Sequence, residues 1–130
     1  MSAIDDRLER SRQGWQRLTP GEARQAQLAG ALLVDTRTQW QRQAQGELPG
    51  ALVIDRTVLE WRLDPSSGTR IPEAVAGVRV IVVCQHGFSS SLAACSLRDL
   101  GIDATDVIGG VEGWLTSGLP VHHGTVDERR

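Results

Sequence analysis

The chain has 130 residues, 40% of them hydrophobic and 23% charged, enough for one globular domain that buries about two thirds of its unfolded surface without a metal or disulfide staple. A formal charge of -2 argues against nucleic acid or a membrane surface as the main partner, and no apolar run approaches the ~20 residues of a membrane span. All 14 basic residues are arginine, which excludes Schiff-base lysine chemistry and leaves arginine as the source of any cationic help.

Residues 1–17 read as an N-terminal helical extension, amphipathic through Ile4, Leu8 and Trp15, that packs on the domain, with a dimer contact as the other reading. Thr19-Pro20-Gly21-Glu22 predicts a capping box with proline at the first helical position and a helix ending near Gly30. Short, β-branched apolar runs at 31–34, 51–54, 78–83 and 105–108 predict buried parallel strands. Residues 90–100 predict a helix with Ala93, Leu97 and Leu100 on one face, Arg98 and Asp99 off it, and Gly101 as its stop. Strands alternating with helices give an α/β fold, a central and mostly parallel sheet flanked by helices on both faces, over residues 18–123; residues 124–130 read as a charged tail. Trp40, Trp61 and Trp114 are expected in the core by default, with the wall of a crevice as the other placement.

In such a sheet, ligands bind at the carboxyl ends of the strands, here carrying Asp35, Asp55-Arg56, Cys84 and Gly109-Gly110. The most informative stretch is Val80-Ile81-Val82-Val83-Cys84-Gln85-His86-Gly87-Phe88-Ser89-Ser90-Ser91, in which an apolar strand ends on a cysteine and a glycine-bearing loop opens a helix. Backbone N–H groups and the positive helix end favour the nucleophilic thiolate there. The plain alternative is a buried cysteine acting as a small hydrophobe.

Cys84-Gln85-His86-Gly87-Phe88-Ser89-Ser90 resembles the active-site loop of the rhodanese (sulfurtransferase) family, and three other segments agree in order. Val34-Asp35-Thr36-Arg37 is similar to the family's Asp-x-Arg strand end, and Gly46-Glu47-Leu48-Pro49-Gly50-Ala51 to its Gly-His-Ile-Pro-Gly-Ala segment. Ile108-Gly109-Gly110-Val111-Glu112-Gly113-Trp114 with Gly118-Leu119-Pro120 is similar to its closing Gly-Gly-x-x-x-Trp and Gly-x-Pro signature. The resemblance implies a rhodanese-like single domain in which Cys84 takes sulfane sulfur from thiosulfate or a related persulfide donor, stores it as a persulfide and passes it to cyanide or a thiol. It further implies a small donor anion held by Gln85, His86, Gly87, Phe88, Ser89 and Ser90, structural support from an Asp35–Arg37 salt bridge, and no metal or organic cofactor.

Many family loops carry arginine where Ser89 stands, whereas the Cys-x-His-Gly-x-Ser-Ser form resembles loops of short bacterial thiosulfate sulfurtransferases. The missing loop charge makes Arg56, or else Arg62, the expected cation near the anion, the plain alternative being solvated surface arginines. His86 reads as a loop-shaping or acceptor-contacting residue, or as an ordinary exposed histidine. The pair His122-His123, without a third ligand, reads as a solvated end, and Cys95 is a remote candidate for a resolving thiol. A phosphatase or arsenate reductase would place arginine where Ser90 stands and so loses its main electrostatic aid. The competing role is a non-enzymatic sulfur carrier or docking module serving a sulfur-accepting protein. The N-terminus lacks the basic start and apolar core of a secretory leader, and two cysteines without CxxC or metal spacing suit a reducing compartment, so a cytoplasmic protein is expected.

Overall fold

The computed structural model describes residues 2–130. Helix α1 (Ala3–Ser11) leads into α2 (Pro20–Leu28), where Thr19 Oγ1 accepts the Glu22 amide and Glu22 Oε1 accepts the Thr19 amide, so the expected capping box is formed. Strand β1 (Leu32–Asp35) is followed by α3 (Gln39–Gln45), started by a second capping box between Thr38 and Gln41. After β2 (Leu52–Val53) come a 3₁₀ turn (Arg56–Val58) and α4 (Leu59–Leu63). Strand β3 (Arg79–Val83), α5 (Ser89–Asp99), β4 (Asp103–Asp106), α6 (Gly110–Thr116) and a short β5 (Asp127–Glu128) complete the chain.

All five strands pair in parallel in the order β4-β3-β1-β2-β5. Side chains alternate across the pleat. Val34, Val80 and Val82 enter one core with Leu59, Leu63, Ala93, Ala94 and Leu97, while Leu33, Ile81 and Val83 enter the other with Ala23, Val107, Val111 and Trp114. Helices α4 and α5 therefore cover one face and α2 and α6 the other, the α/β architecture expected from the alternation of elements. No helix among the described residues is long and apolar enough to cross a membrane.

Several local expectations are corrected. Strand β4 lies at Asp103–Asp106, two residues earlier than the β-branched run suggested, because Asp106 is tolerated at a buried strand end by the cation described below. Leu100 is 48% exposed: it caps α5 at the turn into Gly101, and Ala94 takes its place beside Ala93 and Leu97 in the core. Trp114 is fully buried with Nε1 donating to the Pro120 carbonyl, but Trp40 and Trp61 are 76% and 60% exposed on short helices and belong to neither core. Residues 124–130 contribute an edge strand, with the Arg129 amide donating to Val53 O and its guanidinium donating to Glu73 at 2.6 and 2.9 Å.

Strand β1 pairs with β2 on one side and β3 on the other, so the chain reverses its winding direction at the carboxyl ends of β1 and β3. This is the switch point at which open α/β sheets form a crevice. The two kinds of tryptophan give a direct check on the core: Trp114→Ala should cost about 3–5 kcal/mol, whereas Trp40→Ala should stay within about 0.5 kcal/mol. Urea denaturation followed by circular dichroism measures both, and comparable losses would contradict this packing.

Candidate active site

Strand β3 runs directly into Cys84, 6% exposed at the switch point, and residues 84–88 loop into α5. Its Sγ accepts the backbone N–H of Gly87 at 3.2 Å and of Ser90 at 3.3 Å. Helix α5 has no side-chain cap, so the sulfur takes an amide of its first turn as a capping oxygen would. Both bonds point the positive end of a backbone N–H dipole at the sulfur. The amides of His86, Phe88 and Ser89 donate to no protein acceptor among the described residues. A cleft of about 260 Å³ opens over this loop, with Cys84, Gln85, His86, Phe88 and Ser89 facing Thr36, Arg37 and Gln41.

The loop's shape is fixed from below. Gly87 has φ 83°, and a Cβ there would meet the Gly109 and Gly110 amides at 2.9 and 3.0 Å. Gly110, with φ 59°, is tighter still, its missing Cβ lying 2.4 Å from Cys84 O and 2.6 Å from Gly87 N. This close approach lets Val111 N donate to Cys84 O at 2.8 Å and Glu112 N to Gln85 O at 3.2 Å. Gly87 O accepts from Arg12 Nη2 at 2.8 Å and Arg17 Nη2 at 3.0 Å. The buried carboxylate of Asp106 accepts from Arg17 Nε at 2.7 Å and from the hydroxyls of Ser90 and Ser91, each at 2.7 Å. Arg12 Nε donates to Ser91 Oγ at 2.9 Å; burial and the neighbouring Arg17 lower the Arg12 pKa from the ordinary arginine value, against the opposing pull of Asp106 and Cys84.

Among the residues singled out from sequence, Asp35 and Arg37 form a buried, two-pronged pair with Nη2 2.7 Å from Oδ2, and Arg37 also donates to Gly46 O. Arg37 borders the cleft with its charge already compensated. Gln85 is held by Gln41 Nε2 at 2.8 Å. His86, on the cleft rim, places Nδ1 3.0 Å from Glu112 Oε2. Ser90 turns its hydroxyl down to Asp106, so its contribution at the sulfur is its amide. Arg56 pairs with Glu60 at 2.7 Å and does not line the cleft, and Arg62 donates to the carbonyls of Thr69 and Arg130. Cys95 lies along α5 and is not among the cleft residues. Sequence reasoning missed Arg12, Arg17 and Asp106; an aspartate inside a β-branched run was the one available signal, since such a residue needs a buried partner. A larger cavity of about 400 Å³ lies under the C-terminal segment, between Glu47, Gly50, Val53, His122 and Asp127, and has no cysteine in its lining.

The family model described as Rhodanese-like domain matches residues 19–117. The chain belongs to the rhodanese-like family. A stretch of 43 residues is 51% identical to the thiosulfate sulfurtransferase GlpE of Actinobacillus succinogenes, covering 32% of this chain and 39% of that protein. Among solved structures, a protein of unknown function from Rhodopseudomonas palustris, described as a possible tyrosine phosphatase, superposes with TM-score 0.83 at 25% identity over 93% of this chain and 95% of its own. A rhodanese-like domain protein from Staphylococcus aureus gives TM-score 0.62 at 27% identity over 82% of this chain and 98% of its own. The rhodanese-like match begins at residue 19, so Arg12 and Arg17 reach the loop from outside it.

The glycine pair is where a minimal change separates loop geometry from loop composition. Gly110→Ala, with a Cβ driven into Cys84 O and a left-handed φ, should destabilise the protein by about 1–3 kcal/mol from backbone strain alone and slow alkylation of Cys84. Gly118→Ala, at a similar φ of 75° with nothing within 4 Å, should leave the alkylation rate unchanged. Timed iodoacetamide labelling with mass detection compares the two.

Proposed function

We propose that the chain is a single-domain sulfurtransferase that moves sulfane sulfur through a Cys84 persulfide, from thiosulfate or a related persulfide donor to cyanide or a thiol. The observation that carries this reading is the pair of loop amides on Cys84 Sγ in the switch-point cleft, in a loop whose His86, Phe88 and Ser89 amides have no protein acceptor among the described residues. Family membership and the stretch shared with a thiosulfate sulfurtransferase support it.

In the first step, thiolate Sγ attacks the outer sulfur of thiosulfate. The new S–S bond forms as the old one breaks, and sulfite departs with the bonding pair. The outgoing oxyanion faces the N–H groups of His86, Phe88 and Ser89, fixed donors that require no reorganisation. In the second step, the acceptor attacks the terminal persulfide sulfur and the Cys84 thiolate leaves. Cyanide yields thiocyanate, and a thiol acceptor yields a new persulfide. Neither attack needs a proton removed once the attacking thiol is ionised, so His86 serves as rim and contact rather than as an obligatory base.

The cleft favours sulfur transfer over phosphoryl transfer. A phosphoenzyme mechanism needs a guanidinium free to grip equatorial oxygens in bidentate fashion. Ser90 stands at that place with its side chain committed to Asp106, and the arginine bordering the cleft, Arg37, is committed to Asp35. A neutral ring of amides suits a leaving sulfite.

Incubation of reduced protein with thiosulfate should add one sulfur atom to Cys84, and cyanide should remove it as thiocyanate, both seen by intact mass. Cys84→Ser should form no persulfide and keep its fold, while Cys95→Ser should behave as the parent. Absence of the added sulfur in the parent, or equal turnover in Cys84→Ser, would overturn the proposal, the former in favour of a docking module.

A further inference from the structure

The cleft poses an electrostatic problem: an anionic sulfur must meet an anionic donor, yet no side chain lining the cleft offers an uncompensated positive charge. Arg37 is paired with Asp35, and His86 faces Glu112. The uncompensated charge lies underneath. Arg17 is neutralised by Asp106 at 2.7 Å, but Arg12 makes no ion pair among the described residues. Two guanidinium groups and one carboxylate thus leave a net positive charge against the underside of the loop, where solvent screening is reduced.

Both arginines bind one atom, the Gly87 carbonyl oxygen. That oxygen belongs to the peptide whose N–H is that of Phe88. A trans peptide is planar, with its C=O and N–H pointing in opposite directions, and no described peptide bond is cis. Holding the carbonyl down therefore turns the Phe88 N–H away from the arginines. Charged donors on the carbonyl also polarise the peptide and strengthen that N–H as a donor. Phe88 borders the cleft, and its amide has no protein acceptor.

We infer that Arg12, assisted by Arg17, is a positioning residue of the anion site: from an N-terminal segment outside the matched domain, it supplies through the Gly87–Phe88 peptide the positive charge that the loop itself lacks. Identifying the anion as thiosulfate or sulfite rests on the sulfurtransferase reading; the electrostatic role does not. Ser91, which receives Arg12 Nε and donates to Asp106, keeps the guanidinium in register.

The test compares alkylation of Cys84 by iodoacetate, an anion, with that by neutral iodoacetamide, in a Cys95→Ser background so that one thiol reports. Sγ displaces iodide from either reagent, and a purely structural loss slows both alike. Arg12→Gln should lower the iodoacetate-to-iodoacetamide rate ratio about tenfold, the low end of the effect of local charge on the association of charged ligands. Arg12→Lys should recover much of the ratio. In the sulfurtransferase assay, Arg12→Gln should raise the KM for thiosulfate more than it lowers kcat. An unchanged ratio in Arg12→Gln overturns the inference. Should that variant not fold, titration of the unsubstituted ¹⁵N-labelled protein with sodium sulfite decides: the Phe88 amide resonance should move, and a Phe88 amide indifferent to sulfite overturns the inference. Alkylation needs no sulfur donor, so a ratio that falls in a protein forming no persulfide removes the sulfurtransferase reading alone, while an unchanged ratio alongside normal persulfide formation removes this inference alone.

Discussion

The arrangement depends on one buried carboxylate. Asp106 closes β4 with no exposure to solvent and accepts from Arg17 Nε and Nη2 and from the hydroxyls of Ser90 and Ser91. These donors come from the segment before α2 and the first turn of α5, so a single anion ties the N-terminal extension, the edge of the sheet and the cysteine loop together. An isolated carboxylate could not be buried there, and removing one partner of such a pair typically costs about 3–5 kcal/mol because the remaining charge is left in a poorly solvated site. The loop that carries Cys84 is therefore held by a contact whose own requirements are strict.

A second constraint acts on the backbone. The carbonyls of Cys84 and Gln85 accept the first free amides of α6, and the carbonyl of Gly87 accepts two guanidinium groups. Of the loop's amides, two donate to Sγ and those of His86, Phe88 and Ser89 have no protein acceptor among the described residues, while Phe88 O accepts the Ser91 amide. A concave row of N–H groups is an anion receptor in itself. It depends on the absence of side chains at Gly87 and Gly110, which lets the α6 terminus approach to within bonding distance of the loop.

Local features of this design were legible in the amino-acid sequence. The apolar run ending at Cys84, the Thr19–Glu22 capping box and the Gly109-Gly110 pair each follow from short-range rules of strand, helix and turn chemistry. What was illegible is long-range. Arg12 and Arg17 lie 75 and 70 positions from Gly87 and look like any other solvated arginines in a chain that has no lysine. Arg56 looked better placed because it follows β2, but Glu60 one helical turn later captures it, an i,i+4 pairing that outweighed its closeness to a strand end. Trp40 and Trp61 were misjudged for a related reason: α3 and α4 are too short to bury more than one side, and Arg42, Leu59 and Leu63 occupy the buried positions.

The extension carries more than a packing role in this scheme. Trp15 donates from Nε1 to Ser11 O, stacks beneath the Arg98 guanidinium at 5.8 Å and packs against the core beside α5, which anchors the segment between α1 and α2. Arg12 and Arg17 project from that anchored segment to the same carbonyl. On the proposed reading, the cation sits below the peptide rather than inside the cleft and so occupies no space that a donor must enter. On that reading, polarising a fixed amide strengthens its hold on the oxygens of the donor anion, so a loop with no arginine of its own is compatible with anion binding.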